Sequence, residues 1–241
     1  MAKRGRKPRR IDRVGIELEG GWNDRPHGLK GDASVSVTAE YVGEVVSAPI
    51  PPNRAHDWVM EHYPHHVNST CGIHVHFSTR SKLDYALLME TDRENDSDSV
   101  DYVPFQKYLI ESLQRWGQRM HIAQSSPFWS RLSGNNQYCK LGGYPEGQFF
   151  ENTSRYHVTN YCYSRHGTVE IRVLPAFKHA RFAASAIDWT IRSVERYLGT
   201  LVTNVPSVMF SLANLELPTI ELNQVDSVEK TPYTLTMESP T

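Results

Sequence analysis

Three short stretches constrain this chain more than any other feature. In "GIELEG" (15–20), "CGIHVHFS" (71–78) and "TVEIRV" (168–173), apolar and ionisable residues alternate. Alternation with period two is the signature of a strand, whose successive side chains point to opposite faces. Ile16 and Leu18 therefore share one face and Glu17 and Glu19 the other. Ile73, Val75 and Phe77 oppose His74 and His76, and Val169, Ile171 and Val173 oppose Glu170 and Arg172. A fold containing these strands must stack the apolar faces on a core. It must also give the ionisable face either water or a purpose.

Water is the simpler expectation for any one strand. Antiparallel sheets often leave one face wet, and charged groups are usually solvated. The three strands together fit it less well. Like charges side by side cost stability, and two carboxylates sharing a site raise each other's pKa unless a cation lies between them. A hard divalent cation resolves the conflict. Carboxylate oxygens suit Mg²⁺ or Mn²⁺, and imidazole completes a shell for the latter. Arg172 adds a guanidinium that can hold a phosphate bidentately. Such an inventory suits metal-assisted phosphoryl chemistry, in which carboxylates hold metal, metal holds phosphate, and Arg offsets developing charge.

The rest of the chain bounds the setting. Its 241 residues make one large domain or two small ones, and 39% apolar with 22% charged residues is the balance of an ordinary globular chain. Net charge is −1, so there is no overall bias toward nucleic acid, although "MAKRGRKPRR" at 1–10 is strongly basic. That segment is expected to be a solvated flexible tail, able to make weak electrostatic contact with nucleic acid. No apolar run is long enough to span a bilayer, and no hydrophobic segment follows the basic start, so neither a membrane span nor a secretory signal is expected. Cys71, Cys139 and Cys162 are odd in number and form no CxxC pair. This favours reduced thiols in a cytoplasmic setting over a disulfide framework or a zinc site.

The expected elements interleave. "SVSVTAEYVGEVVS" (34–47) reads as two strands around Gly43, "APIPPN" as a stop, and "RAHDWVMEHY" as a short helix. Helices follow at "KLDYALLME" (82–90) and "VPFQKYLIESLQRWGQRM" (103–120), separated by a polar acidic loop at 91–101. "SGNNQYCKLGGYPEGQ" (133–148) reads as a long loop and a candidate lid. "RYHVTNYCYS" and "TVEIRVLPAF" form a hairpin, and 179–202 is the longest amphipathic helix. The pattern is α+β around an antiparallel sheet, with a domain over 11–210 and a partly ordered extension over 211–241. There is no GxxxxGK[ST], GxGxxG or HExxH. "HVH" also occurs in zinc hydrolases, where it needs further ligands of the kind Asp32 or Asp188 would supply.

In this order, "GIELEG", "EVVSAP", "CGIHVHFS", "SRYHVTNY" and "HGTVEIRVLPA" resemble the amidoligases of the glutamine synthetase-like superfamily of carboxylate–amine ligases. The resemblance covers roughly residues 13 to 200 and neither tail. "GDASV" resembles a family turn with its Gly and Asp exchanged, and Ala48 stands before Pro49 where many members have Pro directly. The resemblance implies a curved antiparallel sheet backed by helices, whose concave face binds metal and nucleotide. It implies a reaction in which ATP phosphorylates a carboxylate and an amine displaces the phosphate, forming an amide or isopeptide bond, with Mg²⁺ or Mn²⁺ required. Glu17, Glu19, His74 and Glu170 then correspond to metal ligands, with Glu17 and Glu19 on separate ions. His74, His76, Asn160 and Arg172 correspond to nucleotide-binding groups. Arg155 and Arg172 correspond to phosphate and acyl phosphate holders, and Glu44 to a further metal-site or amine-site carboxylate.

Two other readings keep the same residues. One is a metal-dependent hydrolase on the Glu/His face, which would need no nucleotide. The other is a non-catalytic binding or structural protein on this scaffold. Neither the carboxylate and amine substrates nor the oligomeric state is specified by the residues themselves.

Overall fold

The computed structural model describes residues 9–94, 104–142, 156–162 and 166–201. The expected alternation is realised in β1 (Ile11–Trp22), β3 (Gly72–Thr79) and β7 (Thr168–Pro175). With β2 (Tyr41–Val46) and β6 (Thr159–Cys162) they form a five-stranded sheet in the order β2-β1-β3-β7-β6. Every neighbouring pair is antiparallel. β1, β2 and β3 come from the first part of the chain and β6 and β7 from a distant hairpin. The two sets join only along β3 and β7.

Ile16, Leu18, Ile73, Val75, Phe77, Val169, Ile171 and Val173 are all buried, forming the apolar face the sequence requires. Helices cover it: α1 (Ala55–His62), α2 (Lys82–Glu94), α3 (Pro104–Arg119) and α5 (Ala180–Leu201). Phe77 meets Phe105 of α3 edge-on, and Tyr161 of β6 meets Tyr85 of α2 in the same way. Gln106 of α3 reaches the sheet through Thr159 Oγ1 (3.0 Å). α5 also holds the start of β1, because Glu195 accepts from the backbone N–H groups of Arg10 (2.8 Å) and Ile11 (3.0 Å). The fold is thus α+β, an antiparallel sheet packed against helices.

Several expectations are corrected. Residues 34–47 contain one strand, not two, and Gly43 lies inside it. A Cβ on Gly43 would sit 1.9 Å from the Lys30 carbonyl oxygen, and its φ is +152°. Glycine is needed because Lys30 pairs with Glu44 through two 2.9 Å backbone hydrogen bonds at that edge. The helix at 82–90 continues to Glu94, into the stretch read as an acidic loop; charged residues propagate a helix well once it is nucleated. Within 133–148, residues 133–142 hold a tiny hairpin, β4 (Asn135–Asn136) with β5 (Cys139–Lys140). Lys140 ties it to the sheet edge by backbone bonds with Tyr156 and Val158, both 2.9 Å. The remainder of the candidate lid lies outside the described residues, as do the basic tail through residue 8 and the C-terminal extension.

One short helix was not anticipated, α4 (Pro127–Arg131). Its signal was present as Ser126-Pro127: the Ser side chain caps by accepting from the Phe128 N–H, and Pro occupies the first turn. Phe128 anchors α4 against Trp116 and Phe177. It can do so because a Cβ on Gly117 of α3 would lie 2.3 Å from its ring. Among the described residues no helix is long and apolar enough to cross a membrane.

Replacing Gly43 by Ala is expected to destabilise the fold by about 2 kcal/mol or more, since the methyl group would meet backbone and not a yielding side chain. Urea denaturation of the variant checks this.

Candidate functional site

Most of the ionisable face of the sheet is buried, with Glu17 and His76 half-buried. His74 is 4% exposed, Glu19 5%, Glu170 6% and Arg172 8%. That overturns the solvated-face expectation, because buried charge is stable only when it is paired. Strand register sets the neighbours, unlike in charge except at Glu19 and Glu44. Glu19 lies opposite Glu44, Glu17 opposite His74, His76 opposite Glu170, and Glu170 opposite Asn160. A row of polar groups therefore runs across all five strands.

At its centre stands Glu17. Its Oε2 lies 2.8 Å from His74 Nδ1 and its Oε1 3.1 Å from His76 Nε2. An ionised carboxylate can only accept, so both ring nitrogens donate to it. His76 is steadied on its other side by Thr168 Oγ1 at 3.2 Å. Burial alone would push the Glu17 carboxyl up, but the two imidazole hydrogen bonds hold it well below the usual carboxylate range. Burial likewise works against ionisation of Glu170, and the charges of His74, Arg172 and His76 more than offset it, so its pKa is also lowered. Burial disfavours the charged form of His76, yet its bond to Glu17 and the nearby Glu170 leave its pKa raised.

Glu170 is the most constrained of the carboxylates. Asn160 Nδ2 donates to its Oε2 (2.7 Å) and Arg172 Nη1 to its Oε1 (2.6 Å). The same Oε1 lies 3.5 Å from His74 Nδ1. Glu17, His74 and Glu170 thus present one ligand atom each, all within 4.8 Å of one another. A divalent cation with bonds of about 2.1 Å sets neighbouring ligand atoms about 3 to 4 Å apart. The donor set therefore fits such an ion once the cation displaces the proton that His74 Nδ1 shares with Glu17, and a nitrogen beside two carboxylates favours Mn²⁺ over Mg²⁺.

Glu19 stands outside this group. Its Oε2 accepts from the Gly72 N–H (2.5 Å) and its Oε1 lies 3.5 Å from His74 Nε2. It therefore flanks the imidazole on the side away from Glu17, where it can orient the ring. Asn160, expected to touch nucleotide, positions Glu170. Arg172, expected to hold phosphate, commits Nη1 to Glu170, while its buried Nε has no acceptor among the described residues. Glu44 is half-buried at the β2 edge; burial and the neighbouring Glu17 charge raise its pKa. Arg155 lies outside the described residues. Asp32 closes a turn by accepting from Ser34 N–H and Oγ, both 2.7 Å. Asp188 pairs with His56 between α5 and α1 (3.2 Å), on the helical side of the sheet. Neither belongs to the cluster.

Sequence reasoning missed Arg131. From α4 it reaches the end of the same face, is 3% exposed, and lies with its guanidinium 5.0 Å from the Tyr138 ring centroid. The only advance signal was an arginine shortly after a capped, aromatic turn.

No family model, curated protein or solved structure matches the chain. Conclusions about its chemistry rest on the site itself.

Two outcomes are expected. In EDTA, Glu17 and Glu170 stabilise the fold fully above the ordinary carboxyl value of 4.5 and lose that effect as pH falls through their lowered folded values. His76 stabilises fully below its ordinary 6.5 and loses that effect as pH rises through its raised folded value. Melting temperature should therefore decline above neutral pH, and His76→Asn should flatten that decline while keeping the acid limb. Separately, Asn160→Ala should weaken Mn²⁺ binding by about 10- to 100-fold through loss of Glu170 orientation, as read by calorimetry.

Proposed function

We propose that the protein is an ATP-dependent carboxylate–amine ligase of the glutamine synthetase-like type, using Mg²⁺ or Mn²⁺ and working in the cytoplasm. The observation that carries this reading is the group of half-buried Glu17 with buried His74 and Glu170, beside a buried arginine with an uncommitted Nε. Carboxylates, imidazole and guanidinium gathered on one largely buried sheet face are the components that phosphoryl transfer to a carboxylate requires. The antiparallel sheet backed by helices is compatible with the fold such ligases use.

A cation held by Glu17, His74 and Glu170 would neutralise phosphate oxygens and polarise the transferring group. The chain's own groups do the rest. Arg172 offers Nε to an oxyanion while Nη1 keeps Glu170 in place. His76, braced by Thr168, holds the Glu17 carboxylate in place. Glu19 holds the His74 ring. Glu44 has a raised pKa, which suits a carboxylate that takes the proton released when an amine attacks. Burial of the face excludes water, which would otherwise hydrolyse an activated acyl group. ATP gives its terminal phosphoryl group to the carboxylate, ADP leaves, and the amine displaces phosphate to form the amide. The basic N-terminal segment can add weak contact with a nucleic acid.

A metal-dependent hydrolase is the second reading, because a two-carboxylate, one-imidazole donor set serves water activation as well. Nucleotide separates the two. Incubation with ATP, Mn²⁺, hydroxylamine and pools of carboxylates should yield hydroxamate and ADP together. Glu170→Gln should reduce that yield by about 100-fold or more. Mass spectrometry reads both products, and product formation without ATP would favour the hydrolase.

A further inference from the structure

Arg131 is a buried cation whose partners among the described residues are one carbonyl and one aromatic ring, with no carboxylate. Among the described residues its one hydrogen bond runs from Nη2 to the Cys71 carbonyl (3.1 Å), and no carboxylate oxygen forms an ion pair with it within 4.0 Å. Among the described residues no second acceptor meets the guanidinium, which carries five N–H groups. Cys139 lies close enough to donate to the Arg131 carbonyl (3.4 Å), but burial pushes its thiol up to about 11, so it supplies no thiolate. A buried cation without an ion pair is costly, and Arg131, 3% exposed, has none within 4.0 Å among the described residues.

Its direction is informative. A Cβ built on Gly72 would lie 3.0 Å from Arg131 Nη1, 3.0 Å from Glu19 Oε2 and 3.3 Å from His74 Nε2. The bare Cα of Gly72 thus lets the guanidinium approach the edge of the cation cluster beside Glu19 and His74. Arg131 is too far from Glu19 for an ion pair, and too near the cluster to be part of an unrelated surface.

We propose that Arg131 forms an oxyanion subsite at the Gly72 end of the cluster, holding a phosphate or carboxylate group whose opposite side faces the bound cation. The proposal rests on the cation-site reading above. It follows from charge. A divalent cation held by Glu17, His74 and Glu170 would add two positive charges beside the guanidinium groups of Arg131 and Arg172, which favours binding of an anion there. Without the cation, the Glu19 carboxylate beside Gly72 repels one. Cation and oxyanion therefore bind cooperatively, each tightening the other by the same factor.

Titration calorimetry of the full chain tests this with Mn²⁺, orthophosphate and acetate, singly and in pairs, on wild type, Arg131→Met and Arg131→Lys. Wild type should bind an oxyanion measurably only with Mn²⁺ present. Arg131→Met should weaken that binding about 10- to 100-fold, the loss expected for charge-assisted hydrogen bonds. Mn²⁺ binding without anion should tighten, because a positive neighbour of the cluster is gone. Loss confined to orthophosphate identifies a phosphoryl group as the occupant, and loss confined to acetate identifies a substrate carboxylate. If Arg131→Met does not fold, Arg131→Lys, which keeps the charge and loses the fork, should show a smaller loss of the same kind. Unchanged affinity for both anions in a folded variant that still binds Mn²⁺ overturns the subsite and leaves the ligase reading standing. Weaker Mn²⁺ binding with a lowered melting temperature marks Arg131 as a structural brace and overturns it too. Absence of Mn²⁺ binding in wild type removes the cation site and this subsite together.

Discussion

Three carboxylates on one buried sheet face are tolerable only because each meets a donor. Glu17 receives two imidazoles, Glu19 a backbone N–H, and Glu170 an amide and a guanidinium. All of these donors come from a neighbouring strand or the same strand, so the pairing depends on register. A slip of one residue would turn every ionisable side chain into the apolar core. The hydrophobic face and the polar face therefore enforce the same alignment for different reasons. One side gains by excluding water from Ile16, Val75 and Ile171, and the other avoids burying a lone charge.

The same environment gives neighbouring, chemically identical residues different work. Glu17 and Glu19 are two positions apart on one strand. Glu17 faces imidazoles and the Glu170 side of the cluster, while Glu19 is fixed by Gly72 and flanks a ring. Glu44, directly across from Glu19, is half-buried with its pKa raised, whereas Glu17 and Glu170 are held low. Carboxylates with separated proton affinities within one site are the usual means of dividing metal binding from proton transfer.

Much of this was legible in the chain. Period-two alternation located β1, β3 and β7 and assigned the faces correctly, because that pattern is local. Glu17, His74 and Glu170 were singled out from it and do converge. Burial of the polar face was not legible, since it depends on what covers the sheet and not on the strand itself. Nor was the division between Glu17 and Glu19, which register and the small size of Gly72 determine. Gly43 was read as a break between strands because glycine usually interrupts them; here it admits the backbone of Lys30. Arg131 escaped notice because its link to the cluster runs through tertiary packing of α4 on Gly117, a contact without any periodic trace. Arg155 and both ends of the chain lie beyond the described residues.

The join between β3 and β7 has a further meaning. Residues of the early strands and of the late hairpin are stitched there by backbone ladders on one axis and by the Glu17–His74–Glu170 contacts on the other. Closing that join requires contacts between segments far apart in the chain, the slow kind in folding. During synthesis the first three strands emerge long before Glu170 does. A ligand that touches both sides of the join acts as a clasp, favouring the closed form by mass action. A ligand bridging Glu17, His74 and Glu170 would therefore protect the chain against proteolysis by holding the join closed.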